Sequence, residues 1–145
     1  METLQANAQL VEKKRLKHAA VYVVKNSPEI AVVEALSTYI PIDQFKEVFN
    51  FIGELVTKEK ITKLVFDKRN LTVFHQPSME WYFVEWKERM FDRGLKTHRK
   101  ILPKDEVFRQ SVKIGREKIN SIHPNGKFKL MDIGYSESID HAIAQ

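Results

Sequence analysis

Short apolar runs of strand type alternate along this chain with stretches whose apolar residues recur at every third or fourth position. That alternation limits the fold more than any other feature. Strands separated by helices of 10–18 residues pair in parallel through right-handed crossovers, by the general rule for such sheets. The order read from the sequence is hairpin, helix, strand, helix, strand, helix, strand, helix. It predicts a single α/β domain over residues 15–145: a mostly parallel sheet of about five strands with an N-terminal hairpin and four helices. Residues 1–14 show weak periodicity and predict fraying or a short surface helix.

The opening hairpin is expected from two apolar runs, residues 18–24 and 30–36, joined by the turn signal Asn26-Ser27-Pro28. Pro41 and Asp43 mark the start of the first helix. Phe45, Val48, Phe49, Ile52, Leu55 and Val56 then form its buried face. Leu64-Val65-Phe66 is a fully apolar strand closed by Asp67. A polar loop leads to an unusually aromatic helix over about residues 78–93, with Met79, Phe83, Trp86 and Met90 in one stripe and Gly94 as its C-terminal cap. Residues 97–102 predict a less hydrophobic strand nearer an edge. Asp105 caps the next helix, whose buried face is Phe108, Val112, Gly115, Ile119 and Ile122, with Arg109, Lys113 and Arg116 on an adjoining stripe. Phe128, Leu130 and Ile133 are assigned to the last strand, and Ser136 to the cap of a short terminal helix.

Composition excludes several classes of protein. The 145 residues are 43% hydrophobic and 30% charged, the balance of an ordinary globular domain. No apolar run approaches the ~18 residues that would cross a bilayer. The first fifteen residues hold no apolar signal core, and cysteine is absent, so cytoplasmic residence is expected without disulfides or thiolate chemistry. The net charge is +5, yet lysine and arginine interleave with acids along nearly every segment, which argues against nucleic acid as partner. The densest basic cluster, Lys96, His98, Arg99, Lys100 and Lys104, reads as a solvated mixed surface, with a modest anion-binding patch as the alternative. The five histidines show no metal spacing, and no glycine-rich phosphate loop is present, so neither metal nor cofactor is expected.

In open α/β sheets ligands meet the protein at the carboxyl ends of the strands. Asp67, Arg69, His75 and Ser78 are expected at that end, with Trp81 and Tyr82 on the following helix as aromatic contacts for a pocket or partner. Asp67, Arg69 and His75 could alternatively serve acid–base chemistry.

The two-strand opening, the aspartate-ended strand Leu64-Val65-Phe66-Asp67, the loop of about ten residues after it, and the close from Asp132 to Ala142 resemble the STAS-like superfamily, in particular its SpoIIAA-like group. The resemblance covers roughly residues 16–145. It implies a regulatory or binding module rather than an enzyme, and distant SEC14-like relatives add a lipid-like ligand by analogy. STAS antagonists carry an Asp-Ser-Ser-Gly type sequence where a serine is phosphorylated. Here the loop ends His75-Gln76-Pro77-Ser78-Met79, without a serine pair. Ser78 is the phosphorylation candidate, with a plain helix N-cap as the ordinary alternative. The expected function is a non-catalytic cytoplasmic module engaging a protein partner, a second copy of itself, or a small apolar or anionic ligand. The rival is a small hydrolase or transferase built on Asp67, Arg69 and His75.

Overall fold

A computed structural model describes residues 8–145. The elements run β1 (Leu10–Arg15), β2 (Ala19–Val24), β3 (Ser27–Ala35), α1 (Ile42–Glu59), β4 (Lys63–Asp67), α2 (Gln76–Trp81), a π-helical turn (Tyr82–Trp86), α3 (Lys87–Asp92), β5 (Thr97–Ile101), α4 (Glu106–Ile122), a 3-10 turn (Lys127–Leu130), β6 (Asp132–Tyr135) and α5 (Ile139–Ala144). One six-stranded sheet takes the strands in sequence order. β1, β2 and β3 are antiparallel neighbours, whereas β3 to β6 are parallel.

Sequential order explains the layering. Right-handed crossovers that always step the same way along a sheet leave their helices on one face. Alternate strand residues, Val21 and Val23, Ala31 and Val33, Leu64 and Phe66, accordingly pack under α1, the α2–α3 helix and α4. The opposite alternation, Tyr22, Val32, Val65 and Ile101, packs with Ile139 and Ala142 of α5.

The hairpin, α1 and β4 lie where the alternation predicts. With α2, the π turn and α3 counted as one continuous helix, the helices number four, as expected. That helix ends in a Schellman motif: Leu95 N–H donates to the Met90 carbonyl, Gly94 N–H donates to that of Phe91, and Gly94 has φ +109°.

Several expectations need correction. The sheet has six strands because Leu10–Arg15, expected to fray or to form a helix, is an edge strand paired with β2; residues 1–7 of that extension lie outside the described residues. Its exposed Glu12, Lys13, Lys14 and Arg15 discourage pairing with a further strand, and such polarity hides a strand from hydrophobic pattern reading. β5 is not near an edge but lies between β4 and β6. Phe128 and Leu130 belong to the 3-10 turn, leaving Asp132–Tyr135 as the last strand. The α5 cap is Ser138, which accepts from His141 N–H, while Ser136 Oγ donates to Gln145. Ile122, the last residue of α4, is exposed rather than buried. Asp105 caps α4 as expected, accepting from Val107 N–H at 2.9 Å.

Candidate functional site

The six nominated residues separate into three environments. Asp67 ends β4 on the α5 side of the sheet, because Phe66 before it faces the other way. Its carboxylate is almost fully buried and accepts from Arg69 three times, from the backbone N–H at 3.1 Å, Nε at 2.9 Å and Nη2 at 2.8 Å. Such a bidentate pair is the strong form of ion contact. Hydrogen bonding to Asp67 first, and its charge after the cost of burial, raise the Arg69 guanidinium above its ordinary value. Arg69 also walls a cavity of about 260 Å³ with Ile101, Pro103, Arg109 and Ser136.

His75 and Ser78 lie on the opposite face of the sheet. His75 is the N-cap of α2, with Pro77 inside the first turn, so Ser78 is not the cap. The Ser78 hydroxyl is buried and 2.8 Å from His75 Nδ1, which ties the cap to the third helical position. Asp67, Arg69 and His75 are therefore not brought together as one catalytic set. The first two engage one another, and the third engages Ser78.

Trp81 is half-buried, edge-on to Phe45 at 6.1 Å with the Lys46 ammonium 5.7 Å above its ring. Tyr82 is core rather than surface. Its ring packs against Phe49 at 4.6 Å and Trp86 at 5.4 Å, and its hydroxyl is 2.9 Å from Nε2 of the fully buried His98. Burial pushes the Tyr82 phenol well up. It pushes the His98 imidazole well down, helped by the positive charges of Lys87, Lys100 and Lys68.

His75, Ser78 and Tyr82 do converge on one feature, a cavity of about 50 Å³ at the carboxyl ends of β3 and β4. Its walls come from separate segments: Tyr39 before α1, Phe45 on α1, Phe66 and Lys68 at the end of β4, Phe74 in the loop, and Phe108 on α4. The lining is apolar and aromatic except where Lys68, His75 and Ser78 reach it. Few, placed polar groups on an apolar wall are the usual chemistry of a small-molecule site.

Lys68 belongs to a group that sequence reading did not single out. It, Lys87 and Lys100 are all buried. Nζ of Lys87 and of Lys100 finds no acceptor among the described residues, and both lie against the Phe83 ring, 3.7 and 4.6 Å from its centroid. Lys68 lies 4.9 Å over Phe66. The π turn helps place them: Lys87 N–H bonds the Tyr82 carbonyl five residues back, and the wider turn brings Lys87 beside Tyr82, at 4.5 Å. Lys100 and His98 face the same side because they alternate along β5, so the basic cluster expected to be solvated is largely buried: His98 and Lys100 are wholly enclosed and Arg99 nearly so. The signal available in the sequence was Lys87, four residues after Phe83 beside the apolar stripe.

Among the described residues no group of three His, Asp or Glu side chains converges as a metal site would need, and no helix is long and apolar enough to cross a membrane. No family model matches the chain, and neither a curated protein nor a solved structure matches it.

Proposed function

We propose that this chain is a STAS-like, non-catalytic binding module of the cytoplasm that takes the apolar tip of a small acid, or of a partner's side chain, into the cavity at the ends of β3 and β4. The family assignment is supported by the sequential strand order, the antiparallel opening, and the aspartate-ended strand leading through a loop into a helix. The observation that carries the function is the cavity lining itself: Phe45, Phe66, Phe74 and Phe108 from four segments around Lys68 and the His75–Ser78 couple. At about 50 Å³ the space admits the end of an apolar chain, not a whole lipid. The acid group of the ligand meets Lys68.

Asp67 and Arg69 stabilise the β4 end instead of meeting the ligand, since each satisfies the other. Ser78, buried and bonded to His75, would have to leave its place before a kinase reached it.

Native mass spectrometry of the chain purified under gentle conditions tests the reading. A bound small acid or a stoichiometric partner is expected on the wild type and absent from Leu71→Trp, which fills the cavity. Equal occupancy in both chains would place binding elsewhere and overturn the proposal.

A further inference from the structure

A third cavity, of about 440 Å³, opens between α4 and the segment carrying the 3-10 turn and β6. Phe83, Arg116, Lys129 and Tyr135 are among its walls. Among the described residues its charged lining is Arg116 and Lys129, both cationic. Arg116 is oriented there by Tyr135, whose hydroxyl accepts from Nη1 and whose ring lies 5.3 Å from the guanidinium carbon. Against the same Phe83 ring lie the buried ammonium groups of Lys87 and Lys100, which have no hydrogen-bond partner among the described residues. One aromatic ring thus both lines an open basic cavity and touches two enclosed amines.

We propose that this cavity and the lysines against Phe83 form a binding site for a phosphate-type dianion, held by Arg116 at the mouth and by Lys87 and Lys100 once the Phe83 ring turns aside, with Lys68 completing the positive field.

Three features point to that ligand class. First, an enclosed ammonium without an acceptor is costly, and natural chains place such groups where they pair or work. Two of them share one ring here. Second, the charges acting on Lys68, Lys87 and Lys100 are all positive: each is held below its ordinary value by burial and then by cationic neighbours, Arg116 in every case. Among the described residues no carboxylate balances them. Third, three amines and a guanidinium exceed what a single carboxylate needs. They suit a group carrying up to two charges and three or more acceptor oxygens. Phe45, Phe74 and Phe108 take no part in this site; Lys68 is the residue it shares with the apolar pocket, and Lys87 and Lys100 line neither cavity directly.

The test is isothermal titration of the full chain with inorganic phosphate and separately with glycerol 3-phosphate, at ionic strength matched with chloride. Wild type, Lys87→Met, Lys100→Met and Arg116→Gln are compared, with Leu71→Trp as the control for the apolar pocket. Saturable phosphate binding is expected in the wild type and in Leu71→Trp. A loss of about ten- to a hundredfold in affinity is expected in each of the other three, the scale of a charge-assisted hydrogen bond. Arg116 is only partly buried, so Arg116→Gln keeps the test open should a lysine variant fold poorly. Tighter binding of glycerol 3-phosphate assigns an organic phosphate, and equal binding assigns the free ion; either supports the site. No binding by the wild type, or undiminished binding by Arg116→Gln and the lysine variants, overturns it.

Discussion

Lys87 holds its ammonium 3.7 Å from the centroid of the Phe83 ring, wholly enclosed and without a hydrogen-bond acceptor among the described residues. Ring contact returns on the order of 2 kcal/mol when desolvated, against several kcal/mol for taking an ammonium out of water. The pair is a net cost to folding.

Lys87→Met and Lys100→Met, which keep the length of the stem and remove the charge, are therefore expected to raise stability by about 1–4 kcal/mol. Chemical denaturation at neutral pH checks this. Destabilisation by both variants would mean that the amines support the fold itself.

The same groups set the dependence of stability on pH. Lys68 is pushed down to about 8, and Lys87 and Lys100 are held well below the ordinary lysine value, all by burial first and neighbouring cations second. Their folded-state values lie below the unfolded ones, so the unfolded chain binds more protons through the intervening window and stability rises with pH. For Lys68 that window runs from about 8 to the unfolded lysine value near 10.5. His98, depressed by burial and by the lysines, adds the same sign below the ordinary imidazole range. Tyr22, pushed up to about 12 by burial and then by Glu34, and Tyr82, raised by burial, reverse the slope once unfolded tyrosine ionises. Stability measured by urea unfolding should peak at about pH 10–10.5, where the lysine and tyrosine contributions cancel. A maximum between about 5 and 8, the usual position, would contradict the buried cationic group.

Two backbone positions give substitutions of opposite sign. Gly94 has φ +109°, and a Cβ there would meet nothing within 4 Å, so the cost of Gly94→Ala is conformational: about 1–2 kcal/mol. Lys60 closes α1 in the left-handed region at φ 59°, and Lys60→Gly should stabilise by up to about 1 kcal/mol after the entropy of glycine is deducted. Thermal unfolding of both variants checks the pair.

Trp86 is fully buried and donates from Nε1 to the Phe49 carbonyl at 2.6 Å, pinning the π turn to α1. Trp86→Ala should cost about 3–5 kcal/mol, read from the denaturation midpoint. A loss below about 1 kcal/mol would show that the π turn is held by other contacts.

How far the sequence could be read follows from where its polar residues went. α1 is legible because its apolar residues keep one period and one buried face, and β3 and β4 because both their faces are buried and each reads as a continuous apolar run. β1 was missed because Glu12, Lys13, Lys14 and Arg15 are solvated on an edge, which leaves no alternation to see. β5 was read as nearer an edge for the same polarity, yet His98 and Lys100 are enclosed. Composition treats lysine as surface, so a strand that buries it looks like a weak strand. The π turn adds a residue to one turn without altering the apolar stripe, and is invisible to periodicity. Of the nominated site, His75, Ser78 and Tyr82 share a cavity, while Asp67 and Arg69 turned to the other face because residues alternate along β4. Lys68 escaped notice between them.

The apolar cavity can be tested most directly by titrating the isotope-labelled chain with hexanoate and following backbone and imidazole resonances by NMR. Saturable shifts confined to Tyr39, Lys68, Phe74, His75, Ser78 and Phe108 are the expected result, with their loss in Leu71→Trp. Absent shifts, or shifts centred on the Asp67–Arg69 side of the sheet, would contradict a binding module built on that cavity.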